Sequence, residues 1–387
     1  MKNKILLSAL LCATSSLMAL DSEHAYLYKD IRIMGMGGAN VAVGSYSTSV
    51  FSNPAGLSSI KKSDGYVVDI LGVSASASSE IAQMMDDLGN ADTDQETVDV
   101  LNKYNGQHFH AGVDNYSSVS KNSDMFAWSV GILAAADVNL MPHANGSADG
   151  GVLATSSRTY GGVILGASKP YETPAGVIDV GMGLKYISQN SYEGSLGVSE
   201  LTNSDDIAQS LQDKYEKTSS GFGVDLGVNY HPFAGSVWHP TFGLSLLNIG
   251  SMDMSGNYGG QPMTVNFGMA VSPEVSFLDR LVLALDYVDM FNANTTRIYN
   301  FTDGTYSDYT ESDMMKRLRL GASVGLIDNT YFATQLNVGM YQSAYTAGID
   351  IRVTALKLSV ATYEEQVGTG SVNIPDRRYM AQIGIGW

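Results

Sequence analysis

The chain has 387 residues, with 39 acidic side chains against 22 lysines and arginines, a formal net charge of −17. So acidic a protein is excluded as a nucleic-acid binder, since gripping phosphates takes clustered lysine and arginine. A single cysteine, Cys12, excludes an internal disulfide.

Residues 1–19 read as a secretory signal. Lys2 and Lys4 form its charged end, residues 5–13 its apolar centre, and Leu17-Met18-Ala19 its cleavage site. The apolar run falls short of the ~20 residues of a membrane anchor. Leu11 before Cys12 is not the small residue a lipoprotein signal wants, so the mature chain is expected to carry no thiol. No later stretch approaches ~18 uninterrupted apolar residues, and no membrane helix is expected.

Within the N-terminal segment 20–62, residues 34–62 fit neither a helix nor a membrane strand. Gly35, Gly37, Gly38 and Gly44 allow tight turns and close packing. Residues 45–52 are small and polar around Tyr46 and Phe51, and Asn53-Pro54 is a turn dipeptide. Met34, Met36, Val41, Val43, Val50, Ala55 and Leu57 give the segment the apolar content of something enclosed. We expect a plug inside a barrel formed by the rest of the chain, residues 63–387.

From there on the pattern is alternation. Tyr379, Ala381, Ile383, Ile385 and Trp387 point one way, Met380, Gln382, Gly384 and Gly386 the other. Residues 178–186, 222–230 and 318–326 repeat the pattern, and such runs have the ~9–11 residues that a tilted strand needs to cross a bilayer. A soluble sandwich alternates too, but its polar face meets bulk water. Here that face is glycine with Asp or Arg, which suits a crowded aqueous lumen. Strands are placed near 65–78, 107–117, 125–136, 157–168, 177–189, 220–231, 239–249, 263–272, 281–290, 315–327, 330–340, 343–353, 356–364 and 377–387. That makes fourteen, an even number as bacterial barrels have. The fold class is all-β, a transmembrane antiparallel barrel in outer-membrane lipid. Tyr379, Ile383, Ile385 and Trp387 would be the closing signal for the insertion machinery.

Short turns (119–124, 169–176, 328–329, 354–355) interleave with mostly longer loops (79–106, 137–156, 191–219, 291–314). With the short turns in the periplasm, both barrel ends lie there, and the plug can fold back into the lumen. Helices are expected in two loops. One runs from Ser79-Glu80 through Ile81, Met84, Met85 and Leu88 and resumes at Val98 and Leu101; the other is capped by Ser204-Asp205-Asp206 before Ile207, Leu211 and Tyr215. Their apolar faces would cover the barrel mouth, dip into the outer leaflet, or serve loop packing alone.

The charges opposite the apolar stripe are Asp69, Asp179, Lys185, Asp225, Asp286, Arg317, Arg319, Asp350, Arg352 and Lys357. A lysine or arginine facing lipid at mid-depth costs ~2–4 kcal/mol, so this face is the lumen. Two roles are open: structural pairs and plug anchors, or contacts to a ligand's polar head. His108 and His110 share a strand face without a third metal ligand, and read as lumen or rim histidines. Residues 35–40 echo a dinucleotide loop, but Asn40 holds the third glycine position. With no serine elbow or zinc-protease motif, neither an enzyme nor a cofactor or metal is expected.

The stretch from Gly37 to Leu57, a Gly-Gly-Ala run, small residues, then Asn-Pro-Ala-Gly-Leu, resembles the N-terminal hatch of FadL-type outer-membrane barrels. Those barrels move long-chain fatty acids and aromatic hydrocarbons. The motif covers residues 37–57; the remaining likeness is architectural. The acidic helical insert over residues 79–104 is more similar to the branch named after the TraF conjugal-transfer protein. The resemblance implies a hatch core of Asn53, Pro54, Ala55, Gly56 and Leu57, with Tyr46 and Phe51 beside it. It also implies a passive channel for small hydrophobic molecules such as fatty acids or hydrocarbons, with a monomer as the favoured state. The alternative is a non-transporting scaffold for a secretion or conjugation complex, docked through its acidic loops.

Overall fold

The structure, a computed structural model, describes residues 23, 26–143, 151–198, 201, 217–233, 235–254, 259–300, 305–368 and 373–387. The proposed signal sequence and the helix expected at 204–215 lie outside them. The strands are β1 Tyr66–Ser78, β2 Phe109–Asn122, β3 Ala127–Pro142, β4 Leu153–Thr173, β5 Gly176–Leu196, β6 Lys217–Pro232, β7 Thr241–Leu247, β8 Thr264–Val271 and β9 Arg280–Tyr287. A separate hairpin of β10 Thr295–Asn300 and β11 Thr305–Thr310 follows. Then come β12 Leu318–Asp328, β13 Phe332–Tyr341, β14 Ala344–Val353, β15 Leu356–Gln366 and β16 Pro375–Gly386. All but the hairpin close into one antiparallel barrel of 14 strands. β1 and β16 complete the ring, and Val68 and Trp387 exchange backbone hydrogen bonds of 2.9 and 3.0 Å at its seam. Closure leaves no sheet edge unpaired, the condition for backbone in hydrocarbon.

Alternation decides which face meets lipid. Val180, Met182 and Tyr186 on β5, Phe222, Leu226 and Val228 on β6, and Tyr379, Ile383, Ile385 and Trp387 at the end of the chain are 37–62 % exposed. In water so continuous an apolar belt would drive aggregation; in a bilayer it is the solvated face. The intervening residues point inward, where Asp179, Lys185, Asp225, Asp286, Arg317 and Arg319 are all buried.

Every expected strand is present, but several are longer than the apolar pattern indicates, and β2 runs to Asn122, into the turn expected at 119–124. β3 and β4 run into residues expected as the 137–156 loop, and β4 and β5 meet at a turn of residues 174–175 rather than 169–176. β5 likewise continues to Leu196. The outer extensions of β3, β4 and β5 project beyond the hydrocarbon, where their outward apolar side chains meet the first long loop instead of lipid. The expected 291–314 loop contains the β10–β11 hairpin.

The first loop forms helices Ile81–Gly89 and Asp94–Lys103. Thr93 and Glu96 cap the second reciprocally. The Asp92 N–H, with Thr93, holds the Glu96 carboxyl below the usual carboxylate range, so this cap weakens only as pH falls through that lowered value. Met84, Leu101 and Tyr104 bury against Phe109, Leu140, Leu153 and Leu196. Those four strand residues share the parity of lipid-facing Val113, Ile132, Val163 and Met182. The helices therefore cover the outer face of the β2–β5 extensions, rather than the mouth or the leaflet. β1 carries a bulge between Ile70 and Val73, where Leu71 takes a φ of 53° and donates its N–H to Ser117 Oγ at 3.1 Å.

Candidate functional site

The lumen is filled by the chain's own N-terminal part, residues 26–60. Asp30 starts helix Ile31–Gly35 by accepting the Arg32 N–H at 3.0 Å. It also accepts the Thr48 hydroxyl at 2.6 Å and pairs with the Arg32 guanidinium at 2.8 Å, tying the helix to the turn Ser47–Phe51. Gly37 and Gly38 then reverse the chain with φ of 69° and 76°, a conformation that a side chain would strain. Asn53 caps the turn Pro54–Ser59, accepting the Ala55 N–H at 3.1 Å, while its Nδ2 donates to the Val41 carbonyl at 2.8 Å. Leu27, Val50, Leu57 and Ile60 share an apolar cluster with the wall residues Tyr116, Leu133, Tyr160, Ile164 and Ile187.

The wall is shaped to receive this plug. A Cβ on Gly166 would meet Val50 and Leu57, on Gly181 the Ala55 N–H, on Gly227 the Asn53 amide, and on Gly321 and Gly339 Met36. The glycines of the lumen face are thus sockets for the plug backbone. Gly181→Val should overpack this contact, costing the plugged state ~1–3 kcal/mol. The unplugged fraction then rises roughly tenfold or more, read as ion conductance in planar bilayers. Heat-modifiable migration should stay normal, because the side chain points away from every wall hydrogen bond.

Of the residues singled out from the sequence, Tyr379, Ile383, Ile385 and Trp387 face lipid, and the hatch and charge positions lie in or against the lumen, in different relations to the plug. Pro54, Ala55, Gly56 and Leu57 are buried at its centre, and Gly56 lies in backbone contact with Gly44. Phe51 joins Tyr28 and Tyr116, with ring centres 5.2 and 4.9 Å away. The Arg32 guanidinium lies 4.3 Å from the centre of the Tyr46 ring. Of the charges, Lys185 and Asp225 pair across β5 and β6 at 2.9 Å, and Asp179 meets His231 at 2.8 Å. Arg352 reaches Asp328 at 2.9 Å, and Asp350 accepts the Asn337 amide at 2.6 Å. Arg317 donates to the carbonyls of Asp289 and Ser312. Asp286 takes the plug: its Oδ2 accepts the N–H groups of Asn40 and Val41 at 2.5 and 2.7 Å. His108 meets Asp376 at 3.0 Å, and His110 bridges Asn139 and Ser76, so both are engaged in the lumen.

A charged network around the first plug residues has no counterpart in the sequence reading. Lys29 pairs with Glu23 and with Glu365, while Arg378 pairs with Glu23 at 2.9 Å and Asp376 at 2.7 Å. Arg378 and Glu365 stand on the lumen parity of their strands, and extending the alternation to the strand ends would have found them. A cavity of about 50 Å³ opens beside this network, bordered by Lys29, Arg158, Asp137, Tyr28 and Tyr160. A second, of about 80 Å³, lies between plug and wall, lined by Tyr28, Val41, Phe51, Leu247 and Val288 with Lys185 and Asp286. Ligand pockets run to ~300–1,000 Å³, and even a benzene-sized void is ~150 Å³. Neither cavity passes a solute while the plug is seated.

No family model and no curated protein matches the chain. Among solved structures, a FadL homologue from Pseudomonas aeruginosa superposes with a TM-score of 0.53 at 9 % identity, over 94 % of this chain and 99 % of that one. The monoaromatic hydrocarbon channel TodX superposes, as its deltaS2S3 mutant, with a TM-score of 0.52 at 10 % identity, over 92 % of this chain and 98 % of that one. Its deltaS2 mutant gives 0.51 at 12 % identity, over 92 % and 97 %. At these identities the likeness is one of fold, and the chain has the fold of the FadL-type outer-membrane barrels.

Proposed function

We propose that the protein is a passive, plug-gated outer-membrane channel for small hydrophobic molecules, fatty acids or hydrocarbons among them. The observation that carries this reading is the cavity between plug and wall. Its apolar lining comes partly from the plug itself, through Tyr28, Val41 and Phe51. A ligand that enlarges this space must push on the plug, so binding and opening are coupled. The lining combines an apolar body with Lys185 and Asp286 at its polar edge, an arrangement that suits a molecule with a large apolar part and at most one small polar group. The precedent for such cargo is the hydrocarbon channel TodX, whose fold the chain shares. A concentration gradient would be the driving force.

The test is uptake of labelled toluene and labelled oleate by proteoliposomes. Replacing Asn53-Pro54 by Ala-Ala removes the buried Asn53 contacts to Val41 and Ala55. Loss of such a cap costs about 1 kcal/mol, enough to let Phe51 drift from the cavity while the barrel stays folded. Uptake is expected to fall roughly five-fold, with the amount of membrane-inserted protein unchanged. Absence of uptake by the unaltered protein would favour the scaffold reading. That reading draws on the acidic helices Ile81–Gly89 and Asp94–Lys103 displayed on the outer face.

A further inference from the structure

Arg319 and Asp286 stand directly opposite each other on the neighbouring strands β12 and β9. Both face the lumen, and both are completely buried. Side chains so placed have Cβ atoms about 4.5–5.5 Å apart, and a guanidinium and a carboxylate there would ordinarily meet. These two do not. Asp286 gives its Oδ2 to the plug amides of Asn40 and Val41, and its Oδ1 has no hydrogen-bond partner. Arg319 is turned the other way. Its Nη1 donates to the carbonyls of Lys316 and Leu318 at 2.6 and 3.1 Å, and its Nη2 to the Tyr26 hydroxyl at 3.4 Å. The guanidinium lies 3.9 Å from the centre of the Tyr341 ring, and Nε is left without a partner. Two separate parts of the plug thus each engage one half of a cross-strand charge pair, and each half keeps an unsatisfied atom.

We propose that Asp286 and Arg319 form an exchange latch: the seated plug holds them apart, and when it withdraws they pair with each other. Pulling Asn40 and Val41 off Asp286 would otherwise leave its buried carboxylate with no hydrogen-bond donor, a costly step. A guanidinium already opposite it across the strand pair supplies a replacement within one side-chain rotation. The same exchange in reverse returns Asp286 to the plug amides and Arg319 to Tyr26, so closing is also provided for. Lys185 and Asp225, already paired at 2.9 Å, have no such split. The latch does not depend on what the channel carries.

Ion conductance of the full-length mature barrel in planar bilayers, without added ligand, tests it. Failure of the latch is then visible separately from failure of toluene or oleate uptake. Arg319→Gln removes the open-state partner of Asp286, and openings should become about tenfold rarer, the effect of one buried hydrogen bond to a charged group. Were Arg319 only a brace for the plug through Tyr26, the same substitution would make openings more frequent. Arg319→Lys keeps a cation opposite Asp286 and should open at least as often as the unaltered protein. The Arg319→Gln effect should also vanish in an Asp286→Asn background, where the charge it serves is gone. If glutamine at position 319 prevents folding, Arg319→Lys is compared with and without Asp286→Asn, and its opening rate must depend on the carboxylate. Openings that are unchanged or more frequent in Arg319→Gln, or an effect of residue 319 indifferent to Asp286, overturn the latch.

Discussion

Deleting residues 26–60 is expected to leave a folded barrel that conducts small ions freely. The wall does not need the plug for its backbone, because each of the 14 barrel strands is paired to both neighbours, and a closed ring satisfies its own hydrogen bonds. What the plug supplies is contents. It covers Tyr116, Ile164 and Ile187, caps the Asp286 carboxylate, and fills the sockets left by glycines such as Gly181 and Gly339. With it gone, water enters and solvates Lys29's former partner Glu365 and Arg378, while Asp286 turns to Arg319 across the strand pair. The apolar lumen residues lose cover worth ~1.5–3 kcal/mol each, so the empty barrel should melt lower while still showing heat-modifiable migration. Conductance should rise from a low, gated level to a steady open state, by an order of magnitude or more, since the two cavities described beside the seated plug are about 80 and 50 Å³. Equal conductance with and without the segment would mean that the lumen is not blocked by it.

What could be read in advance follows from where a physical signal reaches the sequence. Lipid imposes a sign on every second residue, so runs such as those ending in Tyr379, Ile383 and Trp387 disclosed the wall and its strand number. Outside the hydrocarbon that signal stops, which is why the outer ends of β3, β4 and β5 read as loops. Helix periodicity in residues 81–101 was visible, but not the surface it would cover. Phe109, Leu140, Leu153 and Leu196 meet only after four strands are in register. The same applies to the site. Gly37 to Leu57 could be recognised as an enclosed segment from its own composition. Asp286 and Arg319 could be assigned to the lumen by parity, but that the plug separates them is a long-range fact, with Asn40 lying 246 positions from Asp286. The pairing of Arg378 with Glu23 spans 355 positions and no local pattern announces it.

Removing residues 379–387 is expected to abolish folded protein altogether. Those residues pair with β1 from Asp69–Gly386 to Ala77–Tyr379 and with β15 from Leu356–Ile385 to Thr362–Tyr379, seven register pairs on each side. At about 1 kcal/mol net per hydrogen bond, their loss alone is comparable to the whole ~5–15 kcal/mol stability of an ordinary domain. In the membrane the loss is larger. The freed N–H and C=O groups of β1 and β15 would face hydrocarbon with no water to take them. The lumen side fails at the same time, since Met380 is buried against Tyr341 and Tyr363, and Gln382 donates to the Tyr28 hydroxyl of the plug at 3.2 Å. Trp387→Ala alone should be mild by comparison. It removes a 62 % exposed side chain at the membrane boundary but leaves the backbone exchange with Val68. Its expected signature is slower insertion and a lower yield, with normal heat-modifiable migration of what does insert. The measurement is the same gel shift for both variants after expression at equal levels. A truncated chain that migrates as a folded barrel would mean that the ring closes without β16, and the seam between β1 and β16 would then not be what holds the wall shut.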